Sequence, residues 1–321
     1  MKVGKIFAKG LRKLYRITHP NVVHNHVTIP DEAINETIVR LINDNKPFCI
    51  ARLGTVDFNA MQYGFLCHES CWKRLKSFIQ GFTTSYEPTT ELAKAALDTL
   101  CFNSGFFPYD YTLLDKFYSQ TINDFKLIDI LGVMPWNKED LFVEFYSKEV
   151  EYCNFARLEP YDYDKPWTRA LKGKKVLVIH PFANSIEKQY ARRELLWKNK
   201  DVLPEFELKT IKAVQSVAGE KVPFDTWFDA LHYMEQQMDA IDYDIAIIGC
   251  GAYGFPLAAH AKRSGKKVIQ LGGATQILFG IKGKRWDELP AVSKFYNEYW
   301  VYPSKAETPK NAKKVEGGCF W

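Results

Sequence analysis

The stretch from Asp244 to Trp286 constrains this chain more than any other part of it. Ile245, Ala246, Ile247 and Ile248 form a continuous apolar run without polar alternation. That is the pattern of a strand covered on both faces, and such strands belong to parallel sheets. Gly249, Gly251 and Gly254 follow, then a helical pattern through Leu257, Ala258 and Ala261, then a second apolar run, Val268 to Leu271, that ends in Gly272-Gly273. A strand, loop, helix and strand in this order predict an α/β fold with a mainly parallel sheet flanked by helices. In such sheets ligands bind outside the carboxyl ends of the strands, where glycines let backbone N–H groups approach a phosphate. Gly249, Gly251, Tyr253, Gly254, Gly272, Gly273, Thr275 and Gln276 are therefore candidate binding residues.

The spacing Gly249-x-Gly251-x-x-Gly254 matches the dinucleotide fingerprint, yet its setting differs. The fingerprint normally follows the first strand of its unit and needs an acid about 20 residues on for the ribose hydroxyl. Here that region holds Gln270, Gly272 and Gly273. Three readings stand at this point: another phosphorylated ligand, a purely structural turn, and a nicotinamide cofactor.

The rest of the chain narrows the class. Its 321 residues suffice for one large domain or two small ones, and 46% hydrophobic with 15% aromatic residues supplies a substantial core. No apolar run approaches the roughly 18 residues of a membrane span, and the first residues lack the pattern of a signal peptide, so a cytoplasmic location is expected. Seven scattered cysteines, an odd number, suit a reducing compartment better than a disulfide framework. A net charge of +5 is too diffuse to argue for a nucleic-acid partner.

Within residues 1–30, Lys2, Lys5, Lys9, Arg12, Lys13 and Arg16 surround an apolar face of Val3, Ile6, Phe7, Leu11 and Leu14. A basic amphipathic helix of this kind either lies on an anionic membrane, peripheral on its inner face, or packs on its own domain. Residues 31–303 carry the α/β pattern, and 304–321 form a tail whose Phe320 and Trp321 are too apolar to stay free. Phe48 to Ala51 reads as the first strand and runs into Arg52, Gly54, Thr55 and Asp57, so a guanidinium and a carboxylate arrive together at a strand end. An Arg–Asp pair stapling a turn is the competing reading. Ile130 to Met134, Lys174 to His180 and Phe206 to Val214 read as further strands, and they bring Trp136-Asn137 and His180 to the same rim. Asn137 is expected to cap the helix beginning at Lys138. A joint between subdomains would fall at Glu159 to Trp167, but one continuous sheet is simpler. Cys67, His68 and Cys71 resemble half a metal site with no second half nearby. Lys282, Lys284 and Arg285 cluster just past the glycine turn, as a diphosphate would require.

The segment Arg52-x-Gly54-x-x-Asp57 resembles the Arg-x-Gly-Asp-x-Glu signature of the GT-D-type glycosyltransferases. The later blocks VLVIHPFANSIEKQYARRE, IGCGAYGFPLAAHAKRSGKK and LGGATQILFGIKGKRW are similar to GT-D-like proteins of bacterial surface-polysaccharide loci. The resemblance covers most of residues 31–321. It implies a single Rossmann-like domain that takes a nucleotide-diphosphate sugar as donor and transfers the sugar to a glycan or lipid-linked acceptor. It also implies an acidic motif that engages the diphosphate through a divalent metal. This chain departs from the signature there, because the first acid is Thr55 and the second is the shorter Asp57. The expectation is therefore weak or absent metal dependence, with Arg52 and the cations at 282–285 facing the leaving group and Asp57 as catalytic base. A non-catalytic nucleotide or glycan binder and an NAD-dependent sugar oxidoreductase are the rivals.

Overall fold

Seven short segments pair edge to edge in the computed structural model, which describes residues 2–20, 27–134, 136–143, 145–147 and 149–321. They are β1 (Cys49–Ala51), β2 (Ile130–Val133), β3 (Glu151–Asn154), β4 (Lys175–His180), β5 (Glu207–Lys212), β6 (Ile245–Ile248) and β7 (Lys267–Gln270). All neighbours are parallel, in the order β3-β2-β1-β7-β6-β4-β5, and they form one Rossmann-like sheet. Four consecutive apolar residues make β6 a central strand: each is wholly buried and pairs with β4 on one side and β7 on the other. The edges read differently. β5 alternates exposed positions with half-buried ones and buries only Ile211, and β3 buries Cys153 alone, so β3 carried no apolar run by which sequence could find it. Charged, short edge strands also discourage pairing with another chain.

Helices cover both faces. On one side lie α3 (Thr55–His68), α5 (Thr90–Ser104), α6 (Thr112–Phe125), α9 (Trp227–Asp239) and α10 (Gly254–Arg263), around a core that includes Phe58, Leu97, Phe117, Trp227 and Leu257. On the other lie α2 (Ile34–Asn43), α8 (Ala183–Tyr190) and α11 (Ala274–Leu278), packed through Ile38, Ile186 and Ile277. Across the centre of the sheet the chain leaves β1 and β6 toward the first face, and β7 and β4 toward the second. Successive loops therefore part above the carboxyl edge, the place where open α/β sheets make their ligand crevice.

The N-terminal helix, α1 (Lys2–Thr18), packs on α4 (Cys71–Gln80) by a face the sequence did not suggest. Ala8 is buried there, and the Arg12 guanidinium lies 4.7 Å from the Phe78 ring, while Ile6, Phe7, Leu14 and Ile17 remain exposed. The helix α7 (Glu139–Val143) begins one residue later than expected. Just before it, the Asn137 amide donates to Glu139 Oε1 at 3.3 Å, and Glu139 Oε2 accepts from Met134 N at 2.6 Å. The tail lies against the body, with Gln276 Nε2 donating to Phe320 O at 3.2 Å and the Trp321 ring 6.2 Å from that of Phe182. No helix among the described residues is long and apolar enough to cross a membrane.

Candidate functional site

Arg52 leaves β1 with its backbone N–H donating to Gln270 Oε1 at 3.0 Å, which ties the ends of β1 and β7 together. Its side chain is only 9% exposed. Nη1 stands 3.6 Å from Glu159 Oε1 and the guanidinium carbon 5.5 Å from the Phe155 ring, yet Nε and Nη2 have no hydrogen-bond partner. Those two nitrogens form the side-on edge of the guanidinium, the fork that grips two oxygens of a carboxylate or phosphate. Leaving buried donors unmade costs about 1–3 kcal/mol each, and more for a charged group. Glu159 is itself held by the Tyr161 hydroxyl.

Two residues on, Gly54 precedes α3 and Asp57 sits in its first turn, folded back toward the glycine. A Cβ at position 54 would lie 2.8 Å from Asp57 Oδ2, so glycine is what permits this fold-back. Asp57 is 6% exposed, and its Oδ1 has no partner. Burial pushes the carboxyl up to about 7, although a hydrogen bond from Ser104 works against that rise. A carboxyl that titrates near neutrality is suited to proton transfer. Thr55 does not share this pocket. Its exposed hydroxyl accepts from Trp136 Nε1 at 3.0 Å and faces Met134 Sδ at 3.8 Å.

The glycine loops close on one another. A Cβ on Gly249 would meet Gly272 O at 2.4 Å and Thr275 Oγ1 at 2.6 Å, so the loops after β6 and β7 touch through it. Gly254 faces Gln270 Nε2 in the same way at 2.8 Å, and Gly273 faces Trp286 at 3.0 Å. Gly251, at φ +59, leaves only 3.3 Å between an added Cβ and Ser104 O, whereas Gly272, at φ +58, borders open space. Tyr253 stacks on Trp227 at 4.9 Å, and its buried hydroxyl faces Ser216 without a full hydrogen bond. Thr275 Oγ1 and Gln276 Oε1 are likewise buried without partners, while Gln276 Nε2 is engaged by Lys282 O at 3.0 Å. Contacts through Gln270 and Ser104 thus join Arg52, Gly54 and Asp57 to the loops 249–254 and 270–275.

The other expected residues are occupied elsewhere. His180 Nδ1 accepts from Phe182 N at 3.0 Å, and burial lowers its imidazole to about 3 against the pull of Glu307, so it is neutral at pH 7. Glu307, from the tail, sits at the start of α8 and accepts from Ser185 N at 3.0 Å, the Ser185 hydroxyl and Ser304 Oγ at 2.7 Å. The anion position at this helix start is filled by the chain itself. Lys282 Nζ lies 5.1 Å from the Tyr296 ring and 5.8 Å from Tyr302, Lys284 Nζ donates to Gly317 O at 3.3 Å, and Arg285 pairs with Glu316. Two of the three expected diphosphate cations are therefore tail anchors. Sequence reading missed Ser104 and Gln270 as neighbours of the site and Glu159 as the partner of Arg52, since in the sequence Glu159 stands out only as part of a proline-bounded connector.

An open aromatic cleft of about 670 Å³ adjoins the Ser104–Gly105 turn, lined in part by Phe102, Phe106, Phe107, Tyr109 and Phe224. Ser216, on its wall, donates to Gly105 O. Ala218, also lining it, holds φ 54, a strained value for a residue with a side chain.

The donors around Asp57 do not fit a divalent ion. Such an ion takes several oxygen ligands, commonly more than one carboxylate, and here one buried carboxyl stands beside a threonine committed to Trp136. No group of three or more His, Cys, Asp or Glu that could hold a metal occurs among the described residues. His68 is engaged by Asp115 at 3.0 Å. No known protein-family model matches the chain, nor does any curated protein or solved structure.

Proposed function

We propose that the chain is a glycosyltransferase that moves a sugar from a nucleotide-diphosphate sugar to a glycan or lipid-linked acceptor, as its resemblance to the GT-D-type enzymes implies. The observation that carries this reading is the buried side-on edge of Arg52, with two unpartnered N–H donors, on the same strand end that leads into a carboxyl poised near pH 7. The donor's diphosphate oxygens satisfy Nε and Nη2 of Arg52. The acceptor hydroxyl gives its proton to ionised Asp57 as its oxygen bonds to the anomeric carbon. The bond from that carbon to the phosphate oxygen breaks, and the electron pair leaves with the nucleoside diphosphate, whose charge Arg52 offsets. The aromatic cleft beside Ser104 offers ring faces for an acceptor sugar.

Thr55, where the family signature has an acid, favours a second reading in which the protein binds nucleotide or glycan without turnover. An NAD site has less support, since Gly249 and Gly254 are packed against the chain's own loops. A thermal-shift screen with UDP-, GDP- and CMP-sugars, UDP alone and NAD separates the three, followed by donor-hydrolysis and transfer assays on whichever nucleotide binds. Stabilisation by a sugar nucleotide with turnover supports the transferase, stabilisation without turnover supports the binder, and a response to NAD alone overturns both.

A further inference from the structure

We infer that α1 is a docking helix for an anionic lipid surface. Around this helix the side chains sort into three stripes. Ala8, Leu11, Arg12 and Tyr15, spaced as one helical face, are buried or half-buried on the side toward α4, where Arg12 Nη1 donates to Thr83 O at 3.2 Å. Lys5, Lys9, Lys13 and Arg16 form a second, exposed stripe, and α1 contains no acid. Ile6, Phe7, Leu14 and Ile17 form a third, pointing away from the body at 72%, 67%, 56% and 65% exposure.

A soluble helix buries its apolar stripe and exposes its charges. Here the body takes the narrow face centred on Ala8 and leaves the bulky residues outside, a concentration of exposed apolar surface that marks an interaction site. The flanking charge identifies the partner. Among the described residues Lys9, Lys13 and Arg16 form no ion pair, and Lys5 meets only the half-exposed Glu87 at 3.3 Å. A second copy of the chain would bring cation against cation across such a stripe. A bilayer carrying anionic headgroups accepts both stripes at once, with the apolar side chains at the acyl boundary and the cations at the phosphates.

The docking helix also connects to the rim. Thr83 follows Gly81, whose carbonyl accepts from Lys138 Nζ at 2.9 Å, and Lys138 follows Trp136, whose indole donates to Thr55 at 3.0 Å. A lipid-bound α1 therefore holds the loop beside Asp57 near the surface, where a lipid-linked acceptor would be met. The docking itself stands apart from the transferase reading and is measured without any substrate.

The test is flotation of the full chain with vesicles of phosphatidylcholine alone or mixed with phosphatidylglycerol, at low and high salt. The wild type is expected to float with the mixed vesicles, not with the neutral ones, and to be released by salt. Replacing Lys9, Lys13 and Arg16 with glutamine should weaken binding on the order of a hundredfold, since each cation near the surface contributes about fivefold. The double variant Ile6→Ser with Phe7→Ser should lose at least about tenfold. All five side chains are exposed, so unchanged circular dichroism and thermal midpoint are expected to accompany both losses. As an independent readout, Phe7→Trp should shift its emission to the blue only with the mixed vesicles. Failure of the wild type to float, equal binding to both vesicle types, or variants that float like the wild type would overturn the assignment. So would a concentration-dependent dimer that Phe7→Ser dissolves, which would show that a second copy covers the stripe.

Discussion

The two flanks of the sheet's carboxyl edge hold similar chemistry in opposite states. Beside β1, Arg52 and Asp57 are buried with Nε, Nη2 and Oδ1 unpartnered. Beside β4, Glu307 is just as buried, yet Ser185 and Ser304 satisfy it, and His180 is capped onto Phe182. Burial of a polar group costs several kcal/mol unless it is hydrogen-bonded. The β4 flank has met that cost within the chain, and the β1 flank has not. Position at a strand end thus does not separate a ligand site from a structural joint. The balance of donors and acceptors does.

The sharpest way to break this contrast is Asp57→Asn. It should lower turnover on the order of 10²–10⁴-fold while nucleotide affinity, read by calorimetric titration with UDP, stays within about tenfold. A parallel collapse of both would show that Asp57 holds the nucleotide and not the proton. The same carboxyl makes a stability prediction with a definite sign. Its folded value of about 7 exceeds the ordinary 3.8, so the folded state is favoured while Asp57 is protonated and loses stability as pH rises from about 4 through 7. The stability of Asp57→Asn relative to wild type should rise over that window by up to about 4 kcal/mol, measured by urea unfolding at several pH values. His180 acts oppositely, because an imidazole lowered to about 3 costs stability as pH falls below the ordinary 6.5.

On the satisfied flank the expected signature reverses. Burial pushes Glu307 up, but its bonds from Ser185 and Ser304 outweigh that and hold it below the usual glutamate range. Glu307→Gln should destabilise the fold by about 2 kcal/mol at pH 7, an effect that shrinks on acidification, and leave UDP affinity unchanged. Were affinity to fall with stability unaltered, the β4 flank would be the ligand site and the contrast inverted. A smaller effect comes from Arg52→Lys, which keeps the charge but removes the side-on fork. UDP should bind about tenfold more weakly by calorimetry, with the thermal midpoint of the free protein little changed. Smallest of all, Thr55→Ala, or EDTA added to the wild type, should alter turnover by no more than about threefold, since the hydroxyl's partner is the exposed Trp136 indole. A steep loss under EDTA would return Asp57 to the role of metal ligand.

The class of sheet follows from local patterning alone. The apolar runs at Ile245–Ile248 and Val268–Leu271, with helical spacing between them, admit little besides buried parallel strands, because a strand covered on both faces has no polar position to spare. The same patterning also brought Arg52, Gly54 and Asp57 to a strand end, since residues adjacent along the chain stay adjacent in space whatever the rest of the fold does. Edge strand β3 escaped detection, for an edge needs no apolar run. Which polar groups find partners depends on contacts remote along the chain. Glu307 lies 122 residues from Ser185, and Gln270 lies 218 from Arg52, so no spacing rule connects them. The same holds for α1, whose periodicity fixed an amphipathic helix but not which face the body would bury. That choice depends on the shape of α4 against Ala8 and Arg12, and it left the apolar stripe facing outward.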